Sequence, residues 1–192
     1  MNSLIALPNI ISLFRMFLVL PACLNIIDHN FGTALLFFCL AAISDALDGF
    51  LARYLNLQTN LGKILDPVAD KLLVIGIILA LASENMLDYY YAFFPAILIV
   101  LREVLISGLR ESISSYKISL EVTLLAKWKT TIQLIACGSF LVWRSNTLFY
   151  NIDVLGIISY ILLWIAGIIT FITGLQYIIK IMKFFKMETN RE

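Results

Sequence analysis

Charge is what this chain has least of. Asp, Glu, Lys and Arg make up 14% of its 192 residues, against about 25% in an ordinary soluble domain. Hydrophobic residues fill 61% of it and the mean hydropathy is +0.93. A soluble globule of this size has too little interior for so much apolar surface, which excludes a cytosolic enzyme. A net charge of +1 gives no basic surface for nucleic acid. Four prolines and nine glycines without a period exclude collagen and disordered low-complexity chains. The three cysteines, Cys23, Cys39 and Cys137, each sit in an apolar run, and an odd number leaves one unpaired. They read as buried reduced thiols, not a disulfide framework. The single histidine, His29, reads as a loop residue. The class that remains is a polytopic membrane protein.

What is present is long apolar runs. A bilayer core asks for about 20 apolar residues per helix. Six stretches fit, at residues 9–27, 31–53, 61–82, 91–111, 123–143 and 154–181. They predict an all-α, six-helix membrane domain covering residues 1–192. The runs lack the short polar–apolar alternation of a β-barrel. Met1-Asn2-Ser3 has no basic n-region, so the first run reads as a retained span. Of fourteen Lys and Arg, only Arg144 falls on the side opposite the termini. The positive-inside bias then puts both termini in the cytoplasm or the equivalent compartment.

Ionisable groups inside spans default to a functional reading. Four of the seven aspartates, Asp45, Asp48, Asp66 and Asp70, lie at the facing ends of the second and third spans. Asp45, Asp48, Gly49 and Ala52 form one helical stripe; Gly62, Asp66 and Asp70 form another. The short connection between them predicts antiparallel neighbours with their acidic stripes face to face. Four carboxylates in a low-dielectric site need compensation. Hard divalent cations, Mg²⁺, Mn²⁺ or Ca²⁺ rather than zinc, suit an all-oxygen donor set, and a pair of them suits phosphoryl chemistry. Gly49 and Ala52 leave room for a flat group against the helix. Pro67 is either tolerated early in its helix or bends it.

Asp45 to Arg53, eight further residues, and Gly62 to Asp70 together read D-x2-D-G-x2-A-R-x8-G-x3-D-x3-D. This resembles, at all eight fixed positions, the signature of the CDP-alcohol phosphatidyltransferase family. Leu7-Pro8-Asn9 with Ser12 and Arg15 is similar to the family's N-terminal segment. The segments from Arg102 to Glu111 and from Lys127 to Gln133 are similar to those of its bacterial phosphatidylglycerophosphate synthase branch.

The resemblance implies transfer of a phosphatidyl group from CDP-diacylglycerol to sn-glycerol 3-phosphate, with CMP released. It implies that Asp45, Asp48, Asp66 and Asp70 hold the metals and that Asp70 doubles as general base. Gly49, Ala52, Arg53 and Gly62 would accommodate CDP-diacylglycerol. Arg102, Arg110, Lys127 and Lys129 are candidates for the acceptor's phosphate, a role for which the guanidinium fork is well shaped. Lys127 and Lys129 are two apart, so one of them faces the site. A homodimer is expected by resemblance. The alternatives are a same-family enzyme with another acceptor, such as a cardiolipin synthase, and a cation transporter. The transporter reading suffers because its ion sites belong near the midplane, between repeats, whereas these carboxylates cluster at one end.

Overall fold

Each apolar run of the sequence forms one helix. The computed structural model describes residues 7–54, 62–114, 124–145 and 152–189. Six α-helices run through them: α1 Leu7–Ile27, α2 Phe31–Tyr54, α3 Gly62–Ser83, α4 Phe93–Ser114, α5 Leu124–Ser145 and α6 Ile152–Thr189. A short 3-10 turn, Tyr89–Tyr91, precedes α4, and no strand occurs among the described residues. Three stretches are long and apolar enough to cross a membrane, Asn9–Ile27, Tyr89–Ser112 and Val154–Lys183. The apolar part of α2 stops at Asp45. α3 opens with Asp66, Asp70 and Lys71, and α5 with Lys127 and Lys129. The charges that weaken these helices as spans are the candidate site residues themselves.

Two of the turns stop their helices in the same way. His29 and Asn85 have φ of 57° and 53°, a left-handed conformation that Asn and His adopt more readily than most side chains. After α1, Asn30 N–H reaches Asn25 C=O at 2.8 Å and His29 N–H reaches Ile26 C=O at 3.0 Å. After α3, Met86 N–H bonds Leu81 C=O and Asn85 N–H bonds Ala82 C=O, both at 3.1 Å. This double closure satisfies carbonyls that a helix end otherwise leaves open. Met86 and Leu81, the residues that flank the second closure, are both buried. α3 runs on unbroken through Pro67, so that proline is tolerated in the second turn.

The helices alternate in direction. At one end His29 faces Glu84 at 3.3 Å, Arg144 covers the Phe31 ring at 5.2 Å, and the Tyr160 hydroxyl donates to Met86 C=O at 2.9 Å. The start of α1, the end of α2 and the start of α3 meet at the other end. α1 packs broadly on both α2 and α3, while α2 and α3 touch at few points. The acidic ends of the two helices come together as expected, since Asp45 and Asp70 reach the same Arg15 nitrogen, but among the described residues α1 provides most of the packing between them. The buried face of α1, with Leu18, Ala22 and Ile26, lies against Ala34, Phe38 and Ala41 on α2 and Leu73 and Ile77 on α3. α5 joins α2 to α6, and α6 carries α4. A Cβ on Gly167 of α6 would lie 2.6 Å from Pro95 Cβ on α4, so this pair needs the missing side chain to approach so closely. Another loose seam among the described residues runs from α3 to α4 and α5. Of the cysteines, Cys137 is buried as expected, Cys23 is half-buried and Cys39 is exposed.

Candidate active site

The acidic half of the site is organised by α1. Asn9, Ser12 and Arg15 recur every three residues on one stripe, and all three are fully buried. Ser12 Oγ donates to Asp66 Oδ1 at 2.5 Å. Arg15 Nη1 donates to Asp45 Oδ1 at 2.5 Å, and the same nitrogen donates to Asp70 Oδ1. Carboxylates from α2 and α3 therefore close on one cationic nitrogen from α1. Asp45 and Asp70 keep 41% and 36% of their side-chain surface open. Among the described residues no three carboxylates gather tightly enough to form a metal cage on their own. The expected ligand Asp48 sits on α2, but its side chain lies outside the described residues. The same holds for Gly49, Ala52 and Arg53 on α2 and for Lys127 on α5. Gly62, the first residue of α3, is buried.

The basic half fills the loose seam. A cavity of about 270 Å³ opens there, with Asp66, Asp70 and Lys71 on its α3 wall and Arg102, Arg110 and Lys129 opposite. Arg102 is mostly buried, with Nη2 at 3.5 Å from Thr173 Oγ1 on α6. Its Nε is buried and has no hydrogen-bond partner among the described residues. Such a donor is expensive to leave unsatisfied, and it belongs to a side chain lining the cavity. Arg110 is exposed at the rim; its Nε donates to the Tyr177 hydroxyl at 3.2 Å, and the guanidinium lies 5.7 Å from that ring's centre.

Lys129 enters the cavity wall differently from the two arginines. Its ammonium donates to Glu103 Oε1, and both side chains are more than nine-tenths buried. The same oxygen accepts from Gln133 Nε2 at 3.3 Å and Arg102 Nη1 at 3.5 Å. Gln133 also reaches Thr170 Oγ1 on α6 at 2.8 Å. One carboxylate thus ties α4, α5 and α6 together and takes up the charge of Lys129.

Sequence reasoning noted Ser12 and Arg15 without giving them a role, and passed over Lys71, Glu103 and Tyr177 as site residues. Arg15 carried a usable signal, since a cation inside an otherwise apolar span marks a buried partner. Glu103 carried the same signal beside Arg102. Tyr177 had none, because one more aromatic in an apolar helix is unremarkable.

Comparison with known proteins bears on the same residues. A family model described as CDP-alcohol phosphatidyltransferase matches residues 5–172, which includes both acidic stripes and every charged residue of the cavity. The chain is similar to the CDP-diacylglycerol–glycerol-3-phosphate 3-phosphatidyltransferase of Rickettsia bellii, at 42% identity over 150 residues, 78% of this chain and 79% of that one. The enzyme of the same name from Rickettsia felis is 37% identical over 185 residues, 93% of this chain and 97% of that one. That from Haemophilus influenzae is 35% identical over 178 residues, 90% and 91% of the two chains. A match that runs from α1 into α6 takes in the acidic cluster and every charged side chain of the cavity, and the chain belongs to the CDP-alcohol phosphatidyltransferase family.

Proposed function

We propose that this membrane protein transfers the phosphatidyl group of CDP-diacylglycerol to sn-glycerol 3-phosphate, giving phosphatidylglycerophosphate and CMP. The observation that carries the reading is the cavity, where cationic side chains from α3 and α4 stand beside Asp66 and Asp70. An acceptor with its own phosphate needs such cations, and its hydroxyl needs a carboxylate nearby. The relatives' names supply the substrates.

Arg102, Arg110 and Lys71, which line the cavity, hold the acceptor's phosphate. Lys129 stays with Glu103. Asp70, on the wall between the two halves, receives the proton of the acceptor hydroxyl. That oxygen forms its bond to the phosphorus bearing diacylglycerol as the bond from that phosphorus to the bridging oxygen breaks, and CMP leaves with the bridging oxygen. The small residues Gly49, Ala52 and Gly62, with Arg53, take the nucleotide.

Two Mg²⁺ or Mn²⁺ ions are part of this proposal, held by Asp45, Asp48, Asp66 and Asp70. Donor chemistry fits: Asp45 and Asp70 already converge on one positive nitrogen and present hard oxygens in a partly open site. Bound there, the ions would neutralise the pyrophosphate and the transferring phosphoryl oxygens. The proposal also includes six membrane crossings, the site end of the bundle and both termini at the cytoplasmic face of the inner membrane, and a homodimer as the resemblance implies. The test is CMP release by the purified protein from CDP-diacylglycerol with a panel of acceptors, with and without Mg²⁺ or Mn²⁺. Glycerol 3-phosphate should be used and excess EDTA should abolish release; turnover on serine, inositol phosphate or phosphatidylglycerol instead would replace the assigned acceptor.

A further inference from the structure

The Arg15 guanidinium occupies a position that the carboxylates would otherwise offer to a metal. It is fully buried, it comes from a helix outside the signature, and a single one of its nitrogens bonds both Asp45 and Asp70. Ser12, one turn earlier on α1, holds Asp66 by a neutral hydrogen bond. The two contacts differ in consequence. A hydroxyl orients a carboxylate and leaves its charge for a ligand. A guanidinium takes up the charge and repels a cation brought to the same oxygens.

We propose that Arg15 is the built-in counter-cation of the acidic cluster: it holds Asp45 and Asp70 together while no metal is bound, and a divalent ion must compete with it for those carboxylates. This rests on the metal reading above. It follows from charge alone that the carboxylates of α2 and α3 need a positive group between them to stay paired when metal is absent. It also follows that removing the guanidinium makes the site a stronger cation binder and a weaker fold. A merely structural arginine predicts the second effect without the first.

The experiment uses the full chain, purified in detergent micelles and stripped of metal. Mn²⁺ binding is followed by loss of the free-ion electron paramagnetic resonance signal, beside thermal unfolding with and without Mn²⁺. Arg15→Gln should bind Mn²⁺ more tightly than the wild type, on the order of tenfold, as coupling between two ligands of one site commonly gives. Without metal it should melt lower than the wild type, and saturating Mn²⁺ should restore more of its stability than it adds to the wild type's. Should Arg15→Gln fail to fold, Arg15→Lys retains the charge on a shorter stem that meets both carboxylates less well, and its Mn²⁺ affinity should lie above the wild-type value. Equal or weaker Mn²⁺ binding in the variant that folds, against a wild type that does bind, overturns the inference and leaves the metal reading standing. A wild type that takes up no Mn²⁺ removes the metal reading and the inference with it.

Discussion

Glu103 and Lys129 give the sharpest quantitative test of how the basic half is built. Their side chains are 6% and 7% exposed, so solvent does little to screen them. Removing one partner of such a pair leaves the other charge buried without compensation, at about 3–5 kcal/mol. The two removals are not equivalent here. Lys129→Met leaves Glu103 with Arg102 and Gln133 as donors. Glu103→Gln leaves the Lys129 ammonium buried near the Arg102 guanidinium. Glu103→Gln should therefore sit at the top of that range, and Lys129→Met at about 1–3 kcal/mol, the range for an unsatisfied buried acceptor. The double variant replaces the charges by neutral groups of similar size and should lie within about 1 kcal/mol of the wild type. The coupling in the double-mutant cycle is then about 5 kcal/mol or more, above what contacting residues usually show, as befits a pair whose separate members are left as buried charges. Thermal unfolding in detergent reads the order directly: wild type and double variant highest, then Lys129→Met, then Glu103→Gln. A double variant as unstable as the two single losses added together would refute the buried pair. The stable double variant should also keep a near wild-type KM for glycerol 3-phosphate, because Lys129 spends its charge on Glu103. A KM raised tenfold there would return Lys129 to the acceptor's phosphate.

Three further outcomes follow from the geometry. Asp70→Asn should lower turnover by roughly 10²–10⁴-fold, the usual loss of one proton-transfer group, and high Mn²⁺ should not restore it; recovery at high Mn²⁺ would make Asp70 a metal ligand alone. Arg110→Gln should raise the KM for glycerol 3-phosphate roughly tenfold or more, the equivalent of one charge-assisted contact, with little change in the KM for CDP-diacylglycerol; the reverse pattern would move Arg110 to the donor side. With Cys23, Cys39 and Cys137 replaced, single cysteines at Asn30 and Asn85 should react with an impermeant reagent from one side of the membrane, and those at Glu111 and Lys183 from the other. Labelling of Asn30 and Glu111 from the same side would break the alternating topology.

The helices were legible because each apolar run is long and bounded by polar residues, and their ends agree with the expected runs to a few residues except at α6, which continues to Thr189. Lys183 and Lys186 lie past the expected run at 154–181, yet nothing in them stops a helix. Which helix packs on which was not legible. The short connection predicts α2 and α3 as neighbours, but it does not predict that α1 packs on both, because packing is decided by faces. Cys39 shows why burial was hard to read. A residue facing lipid and a residue facing the core are equally apolar in sequence, so hydropathy does not separate them. The signature aspartates were legible through their helical spacing. Their partners Arg15 and Ser12 lie 30 and 54 residues away in the chain, and no local pattern links residues so far apart. Glu103 and Lys129, 26 residues apart, were hidden for the same reason.

The two halves of the site meet on one helix, and this gives α3 its importance. Asp66 and Asp70 are four apart and share a stripe. Lys71 follows Asp70 by one residue, which turns it about 100° around the helix axis. One side of α3 thus answers the carboxylate-binding residues of α1, and the adjoining side looks across the cavity toward Arg102 and Arg110. A donor with a pyrophosphate and an acceptor with a phosphate repel each other, and bringing them together needs opposing charge on both flanks. The acidic half can supply it only through cations it recruits, whereas the basic half supplies it with its own side chains. On the proposed function, that asymmetry would make the donor side dependent on metal and the acceptor side independent of it. On the same proposal the reacting hydroxyl sits where the two meet, beside Asp70, a carboxylate that both lines the cavity and bonds Arg15.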